Sequence, residues 1–153
     1  MRSSIVLFLL CLFTLISAEN LESSRNRIGV GLILGEPTGF SGKYWINEFE
    51  AVDVGIAYSF IGNSSFSLHA DYLYHDLDMI IDKHEIPVYY GFGFRYRALD
   101  DDAAIGARGV MGVLWYDKKY PIDVFFEIAP VFELFPSTSL SFDIAIGGRY
   151  YFK

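Results

Sequence analysis

From residue 27 to the end of the chain, apolar and polar side chains alternate with a period of two, the signature of strands whose faces meet different surroundings. The pattern predicts eight strands, at 27–35, 38–46, 51–60, 65–75, 85–97, 105–116, 121–133 and 140–152. Between them, residues 35–37, 47–50, 62–64, 76–84, 99–104, 117–120 and 136–139 are rich in Gly, Pro, Asn, Asp and Ser and read as turns. No repeat, low-complexity tract or second domain interrupts the series.

One parity carries no charge in any of the eight strands; it starts with Ile28, Val30, Leu32 and Leu34 and finishes with Ile144, Ile146, Tyr150 and Phe152. The other carries Arg27, Lys43, Asp53, His69, Asp71, Arg95, Arg97, Arg108, Asp123, Glu127, Glu133, Asp143 and Arg149. Interleaved with these charges are small residues, among them Gly29, Gly31, Gly55, Ala57, Gly91, Gly93, Gly106, Gly112, Ala129, Ala145 and Gly147. An eight-stranded barrel has an interior only just wide enough for side chains to fill, so the mostly large apolar set does not fit inside. Crowding on a concave face is also what demands small residues. The charged parity is therefore read as the lumen, with opposite charges pairing across it because an unpaired buried charge is costly.

The strand ends agree with this orientation. Tyr44, Tyr72, Tyr74, Trp115, Tyr150 and Phe152 gather at the rim nearest the termini, and Phe40, Phe60, Phe66, Tyr96 and Phe132 at the other, as two aromatic girdles flanking an apolar band. The expected fold is all-β: an eight-stranded antiparallel up-and-down transmembrane β-barrel with a polar, filled lumen. Pro130 cannot donate a ladder hydrogen bond, so a bulge is expected there.

Composition supports this picture. The chain has 153 residues, 52% hydrophobic and 18% aromatic, with a net charge of −7, a mean hydropathy of +0.29 and a pI near 4.8. One folded domain is expected, and nucleic acid is excluded as a partner for want of a positive field. Beyond the first twenty residues no apolar run approaches the roughly 20 residues that a spanning helix requires. Arg2, the apolar stretch 5–16 and Ser17-Ala18 form the three parts of a secretory signal, read as residues 1–18 and followed by a short polar segment, 19–26. A membrane anchor kept in the mature protein is the alternative. Cys11, the single cysteine, falls within this leader and follows Leu10 rather than a small residue, so it suits lipid attachment poorly.

Residues 27–153 resemble the small eight-stranded bacterial outer-membrane barrels of the OmpA and OmpX type, and the compact outer-membrane β-barrel domains. The ending Arg149-Tyr150-Tyr151-Phe152 is similar to the terminal-strand signal by which such barrels are recognised for insertion, although Lys153 replaces the usual final aromatic. The runs 35–39 and 87–91 also look like that group. The resemblance implies residence in the bacterial outer membrane, with outer-membrane lipid and the barrel-insertion machinery as partners.

Candidate chemistry is sparse. His69 and Asp71 share the lumen face, and His75 lies near Asp76 and Asp78; a metal or acid–base site can be built from such groups, but membership of the lumen's charge network accounts for them. Residues 100–102 form an acidic turn that reads as solvated. The apolar parity contains no Ser or His, so a hydrolase presenting those groups to lipid lacks its parts. The resulting expectation is a monomeric integral membrane barrel with a structural or surface-presentation role and no catalytic residue, metal or cofactor. Competing readings are a surface adhesin or host-factor binder, an outer-membrane hydrolase and a soluble lipocalin-like carrier.

Overall fold

In the computed structural model, which describes residues 27–60, 65–76, 80–81, 84–85, 87–98, 102–116 and 119–152, eight strands follow one another around a closed barrel. They are β1 (Ile28–Glu36), β2 (Thr38–Trp45), β3 (Glu50–Ser59), β4 (Ser65–Asp76), β5 (Val88–Ala98), β6 (Ala103–Tyr116), β7 (Ile122–Phe135) and β8 (Ser139–Phe152). Each pairs antiparallel with the next. Pairing of β1 with β8, from Ile28↔Phe152 to Glu36↔Ile144, closes the ring and leaves no sheet edge. Among the described residues there is no helix, and hence none long and apolar enough to cross a membrane. The expected leader with Cys11, the segment 19–26, Asp78, Asp100, Asp101 and Lys153 lie outside the described residues.

Strand limits depart from the sequence pattern mainly around β5 and β6. β5 begins at Val88 rather than residue 85, because His84–Glu85 pair with Ile80–Ile81 in a separate two-residue ladder. β6 begins at Ala103 rather than 105, and β7 runs on to Phe135. Turn chemistry behaves as the residue types dictate. Gly35, with φ of 144°, takes a backbone conformation closed to other residues, and Thr38 Oγ1 caps that turn by donating to the Gly35 carbonyl at 2.7 Å. Between β2 and β3 the Asn47 carboxamide oxygen accepts from the backbone N–H groups of Phe49 and Glu50, both at 2.9 Å.

The expected bulge at Pro130 is not there. The β6–β7 register is the same on either side, from Arg108↔Val131 to Met111↔Ile128, while pairing lapses at the two positions between. Gly109 stands opposite the proline, and even a Cβ there would sit at an ordinary contact distance, 3.7 Å, from Pro130 Cγ, so the ring is accommodated without a shift of register. The register shift falls instead between Ile105 and Gly106, where Leu134 is the extra residue in β7, near the strand ends where a bulge disturbs the fewest pairs.

Away from the bulge at Leu134, side chains alternate between outside and inside. Along β5, Phe92 and Phe94 are 69% and 67% exposed, whereas Arg95 is 4% exposed. Several inward glycines directly face a ring on the neighbouring strand: Gly29 faces Tyr151, Gly55 faces His69, Gly112 faces Tyr89 and Gly147 faces Phe125. A Cβ on any of the four would overlap that ring, so each glycine is the space in which the ring lies. Gly112→Val is therefore expected to cost about 1–3 kcal/mol by overpacking the Tyr89 ring. Urea unfolding in detergent micelles measures it, with Ala107→Val on the outward face as the near-neutral control.

Candidate functional site

The barrel interior is built from charges that β-strand parity delivers to one face. Near the end remote from the termini, Arg95 of β5 bonds to Glu133 of β7 at 2.8 Å, to Asp143 of β8 and to Ser141 Oγ at 2.7 Å. Arg97 also pairs with Glu133, whose second oxygen accepts from Ser139 Oγ at 2.8 Å. In the middle, Arg108 of β6 joins three carboxylates: Asp71 of β4, Glu127 of β7 at 2.8 Å and Asp143 at 3.5 Å. Tyr89 donates to the other Glu127 oxygen at 2.9 Å. Closer to the termini, Arg149 of β8 bonds to Asp123 at 3.1 Å, lies 3.7 Å from Asp53 of β3, and stacks 4.0 Å above the Phe125 ring. Many of these bonds join strands that are not neighbours in the sheet, so they cross the lumen and fill it. Hydrogen-bonded pairs of this kind offset the large cost of removing each ion from water.

At the terminal end the interior changes character. Ile33, Trp45, Leu73, Tyr89, Val110, Leu114, Phe125 and Tyr151 form an apolar and aromatic cluster, with Tyr116 packed against it. Lys43 is enclosed here. Its ammonium lies 4.5 Å from the Trp45 ring centre and 5.2 Å from that of Tyr89, and 2.7 Å from His75 Nε2. His75 Nδ1 lies 3.1 Å from the Phe49 carbonyl; as a donor there, it leaves Nε2 free to accept from Lys43.

Of the residues expected in the lumen network, Lys43, Asp53, His69, Asp71, Arg95, Arg108, Asp123, Glu127, Asp143 and Arg149 are buried inside, and Arg97 is half-buried. Arg27 is a correction. It is exposed beyond the start of β1, where its carbonyl accepts from the Trp45 N–H at 2.9 Å. The strand pattern had extended one residue too far into chain that is no longer held inside. Among the described residues the interior thus holds six carboxylates and five cations. His69, placed in the network by its parity, is buried, and its Nδ1 has no hydrogen-bond partner among the described residues.

Of the expected girdle residues, Phe60, Tyr72, Tyr74, Tyr96, Trp115, Phe132, Tyr150 and Phe152 are exposed on the outer wall, and Tyr44 is half-buried there. Rings pack against one another along the terminal rim, Tyr74 and Tyr90 tilted with centroids 5.5 Å apart and Tyr150 and Phe152 edge to face at 5.1 Å. Charges on the outward face of the described strands occur only at strand ends, at Glu36, Glu50 and Asp76. Sequence reasoning passed over the inward aromatics Trp45, Tyr89, Tyr116, Phe125 and Tyr151. Their parity was the available signal.

Comparison with solved structures places this architecture. The barrel matches the N-terminal β-barrel domain of Pseudomonas aeruginosa OprF with a TM-score of 0.66 at 11% identity, covering 84% of this chain and 98% of that one. Neisserial surface protein A (NspA) is matched with a TM-score of 0.49 at 15% identity, over 82% of this chain and 93% of that one. No protein-family model matches the sequence, and no curated protein matches it significantly. The chain therefore has the fold of the small eight-stranded outer-membrane barrels.

Proposed function

We propose that the protein is an integral outer-membrane barrel, exported by a leader at residues 1–18, monomeric, and structural or surface-presenting in role rather than catalytic. The observation that carries this reading is the outer wall: a belt of exposed Val, Ile, Leu, Phe, Tyr and Trp around the whole barrel, free of charge between the strand ends. A soluble monomer rarely exposes a contiguous apolar patch beyond a few hundred Å². Hydrocarbon, by contrast, accepts that wall, and the closed ladder meets its demand that backbone groups be satisfied internally. Insertion through recognition of the 149–152 ending belongs to the same proposal.

A wide diffusion pore is disfavoured by the ion pairs that cross the lumen. Among the described residues the outward parity of the barrel strands carries no His and no Ser, which argues against a lipid-directed hydrolase. Surface adhesion is the second reading, resting on the connections remote from the termini, 60–64, 99–102 and 136–138. Membrane extraction and electrophoresis test the main proposal. The protein is expected in the detergent-soluble envelope fraction, with an unheated sample migrating differently from a boiled one; recovery from the aqueous fraction without detergent contradicts it and favours a carrier.

A further inference from the structure

We propose that Asp53, His69 and Asp71 bind one divalent transition-metal ion of the zinc or manganese class inside the barrel. The site goes beyond the envelope role above and does not depend on it. Asp53 and Asp71 are direct cross-strand partners on β3 and β4, both inward and both buried. Like charges placed opposite one another on adjacent strands repel, and the more so where water is excluded. His69 lies two residues from Asp71 on the same face, in the space left by Gly55. One ligand atom from each of the three lies within 4.8 Å of the other two.

The surrounding cations do not use up this cluster. Arg108 takes the Oδ2 atom of Asp71, and Arg149 approaches the Oδ2 atom of Asp53 at 3.7 Å. Asp53 Oδ1, Asp71 Oδ1 and His69 Nδ1 are all buried and have no hydrogen-bond partner among the described residues. Buried polar atoms are normally satisfied, so an orphaned atom on each of three residues whose ligand atoms lie within 4.8 Å of one another calls for an explanation. An ion supplies it. Among the described residues the interior also has one more carboxylate than cation, so its field favours a positive guest. One imidazole nitrogen with two carboxylate oxygens suits zinc or manganese, whereas calcium and magnesium prefer oxygen alone. The ion ties β3 to β4 and takes up the repulsion between the two aspartates.

The test uses the full chain, stripped of metal under denaturing conditions and refolded into detergent micelles with excess zinc chloride. After gel filtration, atomic emission should find about one zinc per folded chain, as a single three-ligand protein site requires. His69→Gln should lose that zinc, while His75→Gln, altering the other buried histidine, should keep it. X-ray absorption on the wild-type protein should show a single imidazole in the zinc shell, a measurement that stands even if a variant fails to fold. Wild-type protein without retained zinc overturns the proposal and leaves a proton shared by Asp53 and Asp71 as the alternative. Equal retention by His69→Gln, or two imidazoles in the shell, overturns it as well.

Discussion

Arg108→Met is expected to destabilise the folded barrel by about 3–5 kcal/mol, the range seen when one partner of a buried ion pair is removed. The guanidinium holds Asp71, Glu127 and Asp143 at once, from three different strands, and its side chain is almost wholly enclosed. Methionine fills much of the same volume, so the loss reports charge rather than a cavity. Three carboxylates are then left in a site of low dielectric with less to hold them. Adding Asp71→Asn to Arg108→Met should recover part of the loss, since neighbours in one network are not additive. Equilibrium urea unfolding in micelles, followed by tryptophan emission, gives both values. A loss below about 1 kcal/mol, typical of exposed pairs, would contradict the crossing network.

Phe94→Arg probes the other face. Phe94 is exposed near the middle of β5, between the two girdles. A cation on the lipid side of a barrel costs about 2–4 kcal/mol at the bilayer midplane. Refolding into phospholipid vesicles should show a loss of that size, with Phe94→Leu close to neutral. In water the same arginine costs nothing, so the comparison also distinguishes a membrane barrel from a soluble one.

The facing of the barrel was legible in the sequence because strand parity is a strict twofold rule. Once Lys43, Asp53, Arg95 and Glu127 share a parity, one assignment carries the rest, and small residues such as Gly55 and Gly112 identify the crowded side. Features set by neighbouring strands were not legible. The pairing of Gly112 with Tyr89 depends on the β5–β6 register, which the sequence does not state. Pro130 lacks an N–H, and that alone suggests a bulge; the ladder instead lapses for two positions and resumes in register. Arg27 had the right parity but lies past the end of β1, and its loss from the interior leaves the carboxylates in excess. The enclosure of Lys43 by Trp45, His75 and Tyr89 joins residues from three strands, and the convergence of Asp53, His69 and Asp71 likewise requires the β3–β4 register.

The two tryptophans offer the most direct measurement of which face meets lipid. Trp45 is 7% exposed and points inward, and Trp115 is 59% exposed on the outer wall. With the protein in vesicles of brominated phospholipid, Trp45→Phe, which leaves Trp115 as the sole reporter, should lose most of its emission. Trp115→Phe, which leaves Trp45, should be almost unaffected. Strong quenching of Trp45 with Trp115 spared would place the ionic face outward and contradict the account.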